Sequence, residues 1–102
     1  VAHLKKHWDL IKIFQKSLEK EIAELSNEVL NSVWSYKIEH SDIKSSGIKD
    51  GKQIITEYLE NREYGIAYEH LAYIITECEM ELKIEQKNRM AKIADRMNIE
   101  PI

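Results

Sequence analysis

The chain has 102 residues, of which 43% are apolar and 32% charged. That suffices for one domain with one modest core and leaves no room for a second. A membrane span is excluded, because Lys, Glu or Asn interrupts every stretch well before the ~18 apolar residues a span requires. The first six residues, Val1 to Lys6, lack the apolar run of a signal peptide, and a cytoplasmic location is expected. Cys78 is the single cysteine, so no internal disulfide can form and it cannot build a zinc site by itself. It reads as a small buried hydrophobe.

The net charge of −3 is unevenly spread. Residues 1–49 carry a net +1, residues 50–85 a net −6, and residues 86–102 a net +2. A field of that sign in the middle third repels nucleic acid and attracts a basic protein surface.

In chain order, Leu4, Trp8, Ile11, Leu18, Ile22, Leu25 and Val29 alternate in steps of three and four, with Gln15 in one slot. This spacing lays them on one stripe of an α-helix. Phe14, Leu30, Val33 and Trp34 widen the stripe into a core-facing band. One helix over 3–37 would be ~50 Å long, against a radius of gyration of ~13 Å for a compact domain of this size. A break is therefore expected near Ser26-Asn27, with Ser17 as the rival position. A single long helix that pairs with another chain is the alternative.

Residues 41–51 hold most of the turn formers and form a loop. The next helix begins near Lys52 and buries Ile54, Ile55, Tyr58 and Leu59, with Asn61 suited to a left-handed close. Another begins near Glu63, whose charge favours a helix N-terminus, and buries Ala67, Leu71, Ile74, Ile75 and Cys78. From Glu77 to Glu85 the pattern alternates as in a strand, but no second β-like run exists to pair with it. It reads as a helix end passing into an extended connector. A last helix over about 84–97 buries Met90, Ile93, Ala94 and Met97 and stops at Asn98. The fold class is all-α, a compact bundle of about five helices in one domain spanning 1–102.

Catalytic signatures fail one after another. His3 and His7 stand one turn apart, but Lys replaces the Glu of a zinc-hydrolase helix, so both read as solvent-facing. The positions three before His40 and His70 are Lys37 and Ala67, which rules out a di-iron bundle. Neither a phosphate loop nor a nucleophile elbow occurs. The chain is expected to be no enzyme, with no metal and no cofactor. A helix-turn-helix reading fails on sign, since the helix after Glu63 carries Glu69, Glu77 and Glu79 and no Arg or Lys.

What remains is an acidic, tyrosine-bearing stretch. Asp50, Glu57, Glu60, Glu63, Glu69, Glu77, Glu79, Glu81 and Glu85 supply the charge, with Tyr58, Tyr64, Tyr68 and Tyr73 among them. Tyr64 and Tyr68 stand one turn apart and share a helix face, and Tyr is favoured at interface hot spots. We take Asp50, Glu57, Glu60, Glu63, Tyr64, Tyr68, Glu69, Glu77, Glu79 and Glu81 as the candidate partner-binding set. The plain alternative is a solvated face, with Tyr58 and Tyr73 lining the core.

The run from Glu57 to Leu71, with its Glu63-Tyr64-Gly65-Ile66-Ala67-Tyr68-Glu69-His70-Leu71 segment, resembles the signature stretch of the MafI-type immunity proteins of contact-dependent growth inhibition. In that pattern a helix end is followed by Glu-Tyr-Gly-Leu-Ala-x-Glu-x-Leu, here with Ile66 for Leu. The tail from Met90 to Ile99 resembles the family's closing helix, so the likeness covers roughly residues 50–100. It implies an antidote that binds a cognate toxin, often a nuclease, in the producing cell's cytoplasm. It also implies that Glu63, Tyr64, Gly65 and Glu69 mark the fold first, through an acidic helix start and close packing at the glycine, and contact the toxin second. A nuclease cleft is basic because it holds phosphate, and an acidic face can steer to it and occlude it. The expected partner is a basic toxin domain in a 1:1 complex, met by a chain that is monomeric when free. The rival function is a helical scaffold or adaptor that self-associates through its first 37 residues, which a stable dimer would favour.

Overall fold

Five helices and no strand make up residues 2–100 of the computed structural model, with side chains described from Trp8 to Glu100. They are α1 (Ala2–Val29), α2 (Ser32–Glu39), α3 (Gly51–Glu60), α4 (Tyr64–Glu77) and α5 (Ile84–Arg96). The side chains of His3, Leu4 and His7 lie outside the described ones.

The expected break at Ser26-Asn27 does not occur. Ser26 is buried inside α1, and its carbonyl accepts from the amide of Leu30 at 2.8 Å, so the helical ladder runs straight through it. Ser26 shares its turn with Leu25 and Val29, and burial of that turn outweighs the capping preference of a serine. The chain turns one helical turn later, at Asn31. Its side-chain oxygen accepts from the Trp34 amide at 3.1 Å and caps α2, while its Nδ2 donates to the Glu28 carbonyl at 3.0 Å. One side chain thus satisfies orphan groups at the end of one helix and the start of the next. The Ser26 hydroxyl is buried with no hydrogen-bond partner. Ser26→Ala is therefore expected to raise the unfolding free energy by about 1 kcal/mol in urea denaturation, by removing an unsatisfied group and improving helix propensity.

The core gathers Leu18, Ile22, Leu25 and Val29 of α1, Trp34 and Ile38 of α2, Ile55 and Leu59 of α3, and Met90, Ile93 and Ala94 of α5 around α4. α4 contributes Ala67, Tyr68, Leu71, Ala72, Ile74 and Ile75, and packs most closely with α3. α1 lies across α3, α4 and α5. Ile54, Tyr58, Cys78 and Met97, expected to be buried, are half-buried at the core's edge.

Three helix ends close in the same way. The left-handed residue is Arg62 after α3, Glu79 after α4 and Asn98 after α5. In each, the next amide reaches back five residues: Glu63 to Tyr58 O at 2.8 Å, Met80 to Ile75 O at 2.9 Å, and Ile99 to Ala94 O at 2.8 Å. This is the Schellman arrangement. Asn61 is not left-handed as expected (φ −88°); it sits one position earlier and donates its Nδ2 to the Glu57 carbonyl at 3.0 Å.

The N-terminal half of α1 departs from the expected core band. Trp8, Leu10, Ile13 and Phe14 are 58%, 62%, 64% and 44% exposed, and Val33 on α2 is exposed as well. The apolar stripe is fully buried only from Leu18 onward, with Arg96 of α5 covering part of Phe14 before it. A 28-residue helix is ~42 Å long, and the molecule is accordingly drawn out to 57 × 26 × 21 Å.

Candidate partner-binding surface

The α3–α4 hairpin carries most of the candidate residues. α3 and α4 run antiparallel through the turn at 61–63, which divides the carboxylates between two ends. Glu57, Glu60 and Glu63 lie at the turn end. Asp50, Glu77, Glu79 and Glu81 lie at the open end, where the start of α3 meets the end of α4. Glu69 falls between them. The 14 residues of α4 separate the two ends by ~21 Å. The acidic stretch is thus spread along the hairpin in two groups, a span matched to one side of an ordinary protein interface.

All nine acidic side chains of 50–85 are exposed. Among the described residues, the ion pairs are Lys20–Glu24, Arg89–Glu28, Arg89–Glu85 and Arg96–Glu21. Only Glu85 of the nine has a cationic partner, and it lies outside the candidate set. The arginines of α5 are engaged by the acids of α1. Arg89 sits 2.6 Å from Glu28 and holds that carboxyl below its ordinary pKa, while Glu28 in turn pushes the Arg89 guanidinium up. No described lysine of α1 forms an ion pair with the hairpin. Two of the candidates have neutral donors instead: Gln53 Nε2 to Glu57 at 3.2 Å, and Ser45 Oγ to Glu77 at 3.1 Å.

The tyrosines are placed differently from expectation. Tyr68 is 1% exposed and is the largest fully buried side chain, so it is a core residue and not a contact. It does share a face of α4 with Tyr64, but that face points inward, in register with Leu71 and Ile75. Tyr64 is half-buried against the core, and burial, then the nearby charge of Glu19, pushes its pKa up. Tyr58 is half-buried edge-on to His70, with ring centroids 6.3 Å apart.

Tyr73, named among the tyrosines of the acidic stretch and placed in the core only under the solvated-face alternative, is the hairpin tyrosine on the outer face. It is 37% exposed between Glu69 and Glu77, one turn from each. Its hydroxyl donates to the Ser46 carbonyl at 3.0 Å, beside His70 Nε2–H donating to the Gly47 carbonyl at 2.9 Å. These bonds tie the 41–50 loop to α4. Gly47 is needed there: its φ is +79°, and a Cβ would stand 2.8 Å from His70 Cε1. The spacing of Glu69, Tyr73 and Glu77 was available in the sequence and identifies this face.

Gly65 behaves otherwise than the resemblance implies. A Cβ at that position would meet only Ile99 Cδ1, at an ordinary 3.5 Å, so no close packing depends on the glycine. Gly65→Ala should leave the structure unchanged and raise stability by about 0.5–1 kcal/mol, read from the thermal or urea midpoint.

The connector after α4 borders two grooves. One, of about 660 Å³, lies against α2 and is lined by Val33, Trp34, Lys37, Glu79, Met80 and Glu81 among others. The other, of about 490 Å³, lies against α5 near Lys87 and Met90. Glu79 and Glu81 therefore stand on a segment with grooves of mixed polar and apolar lining on either side.

Among the described residues, no group of three or more His, Cys, Asp or Glu is placed to hold a metal ion. No helix among them is long and apolar enough to cross a membrane. Comparison with protein-family models, with curated proteins and with solved structures gave no match.

Proposed function

We propose that this chain is an immunity protein, which neutralises a cognate toxin domain, a nuclease, by binding it one-to-one in the cytoplasm of the producing cell. The observation that carries the reading is electrostatic. All eight candidate carboxylates along the hairpin and connector are exposed, and no described cation lies within ion-pair distance of them. Surface charge of one sign left uncompensated is destabilising to the fold that bears it, and is most useful where an opposite surface must be attracted. The likeness of residues 57–71 to the MafI-type stretch points the same way.

The contact set that fits this role is Asp50, Glu57, Glu60, Glu63, Glu69, Glu77, Glu79 and Glu81, with Tyr73 as its aromatic member. Tyr64 contributes at most an edge, and Tyr68 acts through the core. A basic cleft laid along the hairpin would be steered by both acidic ends and filled by the face between them.

The test is functional. The purified chain is mixed with the C-terminal domain of the secreted protein encoded immediately upstream, and cleavage of nucleic acid is followed as the chain is titrated in. Cleavage should stop at one chain per toxin domain. Undiminished cleavage at large molar excess would refute the proposal.

A further inference from the structure

The most exposed apolar surface on the molecule is the projecting arm of α1, and no part of the antidote reading uses it. Trp8, Leu10, Ile13 and Phe14 lie within two turns of one helix. Ile11 and Phe14 fall in register with Leu18, Ile22, Leu25 and Val29, so the stripe that builds the core continues past the end of the fold. Its last cover is Arg96, whose guanidinium stands 4.8 Å from the centre of the Phe14 ring. Asp9, Lys12 and Lys16 occupy the opposite arc.

We infer that the arm pairs with the arm of a second copy of this chain about a two-fold axis. The shape favours this occupant. Because the arm and the core share one stripe, the rest of the fold stands on the same side of α1 as the arm's apolar face. Arm and body therefore form a step. A flat lipid surface laid on that face would strike the body, in a molecule 26 and 21 Å across its short axes, before a helix could sink the 5–10 Å that interfacial binding requires. A step is complementary to itself: under a two-fold rotation each arm lies along its partner's arm and ends against its partner's body. Ile13 lies nearer the arc of Asp9 and Lys16 and stays outside this contact.

The charges agree. Positions 8, 10, 11, 14, 15 and 17 span the half-cylinder around the stripe, and none carries a charge. Trp8, Leu10 and Phe14 are already about half covered, so the described arm residues would remove on the order of 800 Å² from water in total, the size of a weak interface. The dimer is therefore expected to be concentration-dependent. Because the pairing is weak, the chain is a monomer at low micromolar concentration, as the antidote reading expects, and only a stable dimer would favour the scaffold.

Sedimentation equilibrium of the full chain from low micromolar to millimolar concentration tests it. The mass should climb from the 12.0 kDa of one chain towards twice that value and stop there. Acrylamide quenching should fall over the same range as Trp8 is covered, Trp34 being buried throughout. Trp8→Lys with Leu10→Lys, both at exposed positions, should hold the mass at one chain, with the unfolding midpoint unchanged at dilution. Lys16→Ala, on the opposite arc, should dimerise as the wild type does. A mass fixed at one chain, growth beyond two, a dimer indifferent to the double variant, or doubling without loss of quenching would each overturn the inference. So would a monomer that pellets with vesicles of anionic lipid.

Discussion

Tyr68→Ala is expected to lower the unfolding free energy by about 3–5 kcal/mol, the cost of emptying the space of a large buried ring. Tyr68 is 1% exposed and packs at the centre of the fold with Leu71 and Ile75 of its own helix. A domain of this size holds only about 5–15 kcal/mol in all, so the variant would sit close to unfolding. Urea denaturation measures the loss directly, and a midpoint equal to that of the wild type would contradict the placement of this side chain. The prediction also separates two roles. If Tyr68 were a contact, its removal would weaken toxin binding and leave the fold intact; as a core residue, it should reduce protection only in proportion to the folded population lost.

Why the sequence placed Tyr68 on the surface is instructive. Tyr64, Tyr68, Leu71 and Ile75 follow steps of four, three and four, the spacing of a core stripe, and the structure puts all four on the inward side. The phenol's polar tip made an interface assignment attractive, and periodicity carried the better information. The helices α3, α4 and α5 were legible for the same reason: their stripes are regular, and the 41–51 loop is dense in turn formers.

The helix ends were less legible. Arg62 and Glu79 adopt the left-handed conformation without being glycine or asparagine, held there by the amides that follow them, and nothing in their chemistry announces it. The break after α1 was misplaced because Ser26 offers a cap, whereas burial of its turn outweighs that offer. Trp8 and Phe14 show a further limit. Spacing reports that a face is apolar, but whether anything covers it depends on where the remaining helices end. The division of the carboxylates into two ends likewise follows from the hairpin's antiparallel course, which composition does not contain.

That division sets up the second large effect. Two double variants address the two ends separately: Glu57→Lys with Glu60→Lys at the turn end, and Glu79→Lys with Glu81→Lys at the open end. Neither pair should harm the fold. Glu57 and Glu60 sit in the last turn of α3, where a cation suits the helix dipole, and Glu79 and Glu81 are exposed outside any helix. Combined, the four substitutions should slow association with the toxin domain by about 10–10³-fold at low salt, and the deficit should shrink as salt rises. Carboxylates at the rim act mainly on the association rate, so dissociation should change little for them. A carboxylate seated in the cleft behaves differently: its reversal speeds dissociation and costs about 2–5 kcal/mol of binding. Stopped-flow association and surface-plasmon dissociation of each double variant would show which end enters the cleft and which only steers. Association rates and salt slopes identical to the wild type in both would remove the electrostatic basis of the antidote mechanism. The grooves flanking Glu79 and Glu81 make the open end the stronger candidate for the seat, since a charged contact beside a concave surface that the partner fills is sheltered from water in the complex.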